Sequence, residues 1–153
     1  VLEAEERTPM KFSEFDGERW AELQLYFDTA ILPVTGLSGS ETPDEASAAL
    51  ERLRDLLDLI ETPFKGRTVT YPAMHYVPGG PEPIGRIAAG LKSAGFRQVV
   101  VVALDRSLRS DSPAVDLWIT PEEDGSLPAA KAVSETVQAM WRSRRTEPNT
   151  AAE

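Results

Sequence analysis

The sequence predicts an α/β fold: a three-layer α/β/α sandwich around a mostly parallel sheet of about four strands. Three observations carry this expectation. Helical and extended patterns alternate along the chain, which implies like-directed strands joined by right-handed crossovers. Two extended stretches, "AILPV" and "VVVVAL", are apolar without alternation, as strands covered on both faces are. The stretch "ETPDEASAALERLRDLLDLIETP" repeats its apolar residues every three to four positions, the spacing of a helix lying on a sheet.

A short helix opens the fold, with Ser13 or Asp16 as its cap and Trp20, Leu23 and Phe27 at helical spacing. The first strand follows around Ala30, Ile31 and Leu32, and Pro33, which has no N–H for a ladder, is expected near its end. After the flexible "TGLSGS", the clearest helix starts with Thr42 as N-cap, Pro43 in the first turn, and Asp44 and Glu45 facing the positive end of the helix dipole. Ala46, Ala49, Leu50, Leu53, Leu56, Leu57 and Ile60 form its apolar stripe, and the charges of "ERLRDLLDLIE" read as its solvated face.

A second strand at Val69 and Tyr71 passes into a loop at "PGGPEP". Ile84, Ile87, Ala88 and Leu91 mark the next helix, which Gly95 stops. Residues 99–104 form the most definite strand, and everything else is arranged around it. The polar "LRSDSP" leads to "AVDLWIT", where Val115, Leu117 and Ile119 alternate with Asp116, Trp118 and Thr120, the pattern of a half-exposed edge strand. The last helix starts near Pro128 and stacks Ala132, Val133, Thr136, Val137, Met140 and Trp141; Arg142, Arg144 and Arg145 stand at its negative end.

Residues 10–145 thus read as one α/β domain, a length that suits one core. The polar stretches at 1–9 and 146–153 read as a disordered extension and a disordered tail. Lys and Arg number 16 against 25 Asp and Glu, a net charge of −9, which disfavours a nucleic-acid partner. There is no cysteine, so disulfides, iron–sulfur clusters and thiol nucleophiles are excluded. The run at 99–104 is far shorter than the roughly 20 apolar residues of a membrane span, and "VLEAEERTP" lacks the apolar region of a signal peptide. A cytoplasmic location without membrane insertion is expected.

Ligands of open parallel sheets bind beyond the carboxyl ends of the strands. Glu41, His75, Asp105 and Arg106 fall there and are the candidate ligand-binding residues. Arg106 suits an anionic group, and Asp105 or His75 could move a proton. Asp105 followed by a serine two residues on reads first as ordinary turn chemistry. His75 is the sole histidine, so a zinc site would need Glu41 and Asp105 as co-ligands; no metal and no cofactor are expected. "TGLSGSE" matches neither glycine-rich phosphate-binding pattern, and no G-x-S-x-G occurs, so no catalytic residue is assigned. Trp20, Trp118 and Trp141 read as packing residues, with Trp118 placed to serve a partner if it points out from the edge.

"YFDTAILPV", "FKGRTVTYPAMHYV", "GFRQVVVVALDRS" and "DLWITP" resemble a small uncharacterised family of Gram-positive bacteria. The genes of that family often lie beside those of the menaquinol–cytochrome c reductase. The resemblance implies an accessory role in making or tuning a respiratory complex and assigns no site residue. "AILPVTGLSGSE" and "SAGFRQVVVVALDRS" are also similar to the creatininase-type amidohydrolases. Those enzymes place Glu and His after the first strand and an Asn-Gly-His loop after the later one. This chain has Glu41 without a histidine in the first loop, and Asp105, Arg106 and Ser107 in the second, so this resemblance implies a fold and not the metal chemistry.

The reading that follows is a non-catalytic cytoplasmic protein acting through a protein partner. The alternative is a small-ligand binder or hydrolase using a pocket at the strand ends. The edge strand "AVDLWIT" carries no lysine to guard it, which leaves a homodimer open.

Overall fold

A computed structural model describes residues 11–146, with side chains as far as Ser143. The extension expected at 1–9, the tail after Thr146, and the side chains of Arg144 and Arg145 lie outside the described residues. Among the described residues one sheet holds five strands, all parallel: β1 (Thr29–Leu37), β2 (Thr68–Thr70), β3 (Met74–Tyr76), β4 (Gln98–Ala103) and β5 (Leu117–Ile119). Their order is β2-β1-β4-β5, and β3 also pairs with β1. The helices are α1 (Gly17–Leu23), α2 (Pro43–Glu61), α3 (Glu82–Ser93) and α4 (Ala130–Thr146).

The three layers follow from alternation along β1 and β4. Ala30, Leu32, Val34, Val99, Val101 and Ala103 face one way and pack with Ile84, Ala88 and Leu91 of α3 and with Trp20 and Leu23 of α1. Ile31, Val100 and Val102 face the other way, against Leu53, Leu56 and Ile60 of α2 and Val133, Val137 and Trp141 of α4. Every residue of β4 is buried, as its unbroken apolar run requires.

The sheet has one strand more than expected, and Pro33 explains it. Thr29 donates to Arg67, Ile31 accepts from Tyr71, and Val34 accepts from Leu104. Odd-numbered residues of β1 therefore face β2, and the missing N–H of Pro33 falls on that side. There the neighbouring ladder breaks: β2 stops opposite Ile31 and β3 starts opposite Val34. Pro33 sits inside a nine-residue strand, not near its end.

Other local expectations are refined. Asp16 is the cap of α1, accepting from the Arg19 N–H at 2.8 Å, and Phe27 lies beyond that helix. Leu50 and Ile87 belong to their apolar stripes yet stand exposed, because only part of each helix lies over the sheet. Glu61, assigned to the solvated face of α2, is 3% exposed. The chain passes from β4 to β5 without a helix longer than the turn Arg106–Leu108. β5 is an edge strand, but its second face is not open: Trp118 packs against the α1/α3 core and Thr120 is buried.

A polar pin closes the amino ends of the strands. Arg67 makes two bonds to the Asp28 carboxylate, at 2.9 and 3.1 Å. Its guanidinium lies 3.9 Å from the centre of the Trp141 ring, whose Nε1–H donates to Thr29 Oγ1 at 2.9 Å. No described helix is long and apolar enough to cross a membrane.

Candidate functional site

The carboxyl ends of β1, β4 and β5 frame a cleft of about 390 Å3. Thr35, Asp105 and Arg106 line it, together with Arg52 of α2 and Glu122 and Glu123 after β5. Leu104, the first residue after the fully buried β4, also lines it, and Asp105 follows at the surface.

Each candidate side chain is engaged by its own chain. Asp105 accepts from the Ser107 N–H at 2.9 Å and the Ser107 hydroxyl at 2.6 Å, the turn chemistry its sequence context suggests. Arg106 donates to the Pro121 carbonyl at 2.7 Å and lies 4.0 Å from the Glu123 carboxylate. Thr35 is 4% exposed, and its hydroxyl shares a 2.8 Å hydrogen bond with His75 Nδ1, which joins β1 to β3 below the cleft wall. Arg52 reaches across to the Gly125 carbonyl.

Glu41 stands apart. Its carboxylate accepts from the N–H groups of Ser38 at 2.8 Å and Gly39 at 2.9 Å and closes its own loop. The Ser38 N–H, first among these donors, helps hold its pKa down at about 2. At the start of α2, the Glu45 carboxylate accepts from Thr42 N–H at 2.9 Å, and the Asp44 pKa is lowered chiefly by the Thr42 hydroxyl. That helix end is therefore occupied by its own carboxylates. Asp105 and Arg106 thus share one cleft, His75 is tied to it through Thr35, and Glu41 is not part of it.

A narrower groove of about 180 Å3 shares Arg106 with the first cleft. It is bounded by Trp118, Ile119 and Thr120, by Val133 and Thr136 of α4, and by Arg109.

A family model described as a protein of unknown function (DUF2487) matches residues 18–142. The chain belongs to the DUF2487 family. No curated protein and no solved structure matches it. The DUF2487 match takes in all five strands and all four candidate residues.

In this DUF2487 chain, no group of three or more His, Asp or Glu side chains among the described residues is arranged to hold a metal ion. Three carboxylates and two guanidiniums line the wider cleft, so it offers no net attraction to a simple anion. Arg52 is the lining residue that sequence reasoning misses. It sits on the charged face of α2, and its partner Gly125 is 73 residues away, a separation that leaves no local signal.

Proposed function

We propose that this chain is a non-catalytic, cytoplasmic accessory protein that acts by contact with another protein in building a respiratory complex. The observation that carries the reading is the state of the candidate side chains. Asp105 caps a turn, Glu41 closes a loop, and His75 bonds Thr35 through one ring nitrogen. Acid–base catalysis needs groups converging on one point with protons to exchange; here the carboxylates hold backbone in place. The family resemblance supplies the respiratory context, through gene neighbours of the menaquinol–cytochrome c reductase.

The test is genetic and spectroscopic. Removing the gene from its natural host is expected to lower the assembled reductase, read as membrane cytochrome absorbance and menaquinol-dependent reduction of cytochrome c. A chain carrying Glu41→Gln, His75→Gln and Asp105→Asn together is expected to restore both. Unchanged reductase in the deletion strain would overturn the accessory role. Loss of complementation by a triple variant that still folds would overturn the non-catalytic one.

The second reading is a small-ligand binder at the wider cleft, supported by Thr35, Asp105 and Arg106 lining one concave space. A metal or phosphorylated metabolite that raises the melting temperature of the wild-type chain, but not of Arg106→Ala, would favour it.

A further inference from the structure

The geometry points to the groove beside β5 as the seat of an extended segment of a partner protein, laid along the sheet edge and anchored by a carboxylate between Arg106 and Arg109. This deepens the proposed contact function and rests on it. β5 ends the strand order, with β4 on one side and, among the described residues, no strand on the other. Such an edge turns alternate N–H and C=O groups outward, and an extended chain can bond to them. The groove follows that edge: Trp118, Ile119 and Thr120 form one wall, and Val133 and Thr136 of α4 form the other.

Charge selects the anchor. Arg106 and Arg109 line this groove against the single carboxylate of Glu122, the reverse of the balance in the wider cleft. The guanidinium of Arg109 makes no hydrogen bond or ion pair among the described residues and is exposed. Arg106 is already bonded to the Pro121 carbonyl and lies 4.0 Å from Glu123, so Arg109 supplies the open charge; beside an edge strand, in a chain of net charge −9, it forms a local attraction for a carboxylate. The ring of Trp118 packs on the α1/α3 side, and its buried Nε1–H has no acceptor among the described residues. A second copy of the chain suits the slot less well, because it brings its own −9.

The experiment uses the full chain, immobilised, and two pools of short random-sequence peptides, one with free carboxyl ends and one amidated. The carboxylate pool is expected to be retained about tenfold better than the amidated pool, and Arg109→Ala to erase that difference. Arg109→Ala removes an exposed, unbonded side chain, so its melting temperature should be unchanged. Bound peptide should shift one of the three indole N–H signals, the one lost in Trp118→Phe. Equal retention of both pools, retention of neither, or indifference to Arg109→Ala would each overturn the inference. So would self-association through β5 that the carboxylate pool cannot displace. The two proposals fail separately. A deletion strain with normal reductase, beside an Arg109-dependent peptide, sinks the accessory role alone. Failed peptide retention, beside a real reductase defect, sinks the groove alone.

Discussion

Lys11→Met should destabilise the protein more than an exposed lysine ordinarily would. Its Nζ donates to Glu61 Oε2 at 2.7 Å, and Thr70 Oγ1 donates to the same oxygen at 2.5 Å. Glu61 is 3% exposed and is the last residue of α2, where the negative end of the helix dipole opposes a carboxylate. Without Lys11 that charge is left buried with one hydroxyl donor. Breaking a fully buried pair costs about 3–5 kcal/mol. The Lys11 side chain is 45% exposed, so water screens the pair and the loss should fall to about 1–2 kcal/mol. For a chain of this size the melting temperature should drop by about 3–6 °C. The assay is urea unfolding followed by tryptophan fluorescence. Glu61→Gln keeps an acceptor for Thr70 and should cost about 1 kcal/mol. Lys11→Met with Glu61→Leu removes both charges and should be less damaging than Lys11→Met alone. A Lys11→Met protein as stable as wild type, or a double variant worse than the sum of its singles, would refute the argument.

Trp141→Phe should lose about 1–2 kcal/mol by deleting the buried bond to Thr29 Oγ1, and the same urea titration measures it. Gly36 has φ of +78°, and a Cβ there would meet Asp105 Cβ at an ordinary 3.5 Å, so the cost of Gly36→Ala should be conformational, about 1–2 kcal/mol. The Glu41 carboxyl should titrate near 2, not near its ordinary 4.5, when followed by carbon NMR. Because the folded pKa is the lower one, the order it gives its loop should be complete above 4.5 and should fade as pH drops toward 2. A midpoint near 4.5 would mean that the Ser38 and Gly39 N–H groups do not hold it.

β4 was legible because an unbroken apolar run has few homes other than a strand covered on both faces. α2 was legible from Thr42, Pro43 and its stripe, but the stripe said nothing of how far the helix overhangs the sheet, and so misplaced Leu50. β3 was hidden because "MHY" has no pattern of its own, and the missing N–H of Pro33 separates it from β2. At the site, the rule that ligand space lies beyond parallel strand ends put Asp105 and Arg106 on a cleft wall. The same rule over-reached with Glu41, whose short loop bonds to itself before it can reach the cleft. Glu61 was assigned to the solvated face because its cation comes from Lys11, 50 residues upstream.

The interruption opposite Pro33 has a consequence for how copies or partners accumulate. On that flank the sheet offers two short pieces, β2 and β3, and Lys11 already bridges to Thr70. Fibre growth needs an adhesive rim at both ends of each unit, so that every addition exposes a fresh one. A strand laid along that flank would meet a break in the ladder opposite Pro33 and the Lys11 bridge at Thr70, so the flank offers no continuous edge for addition.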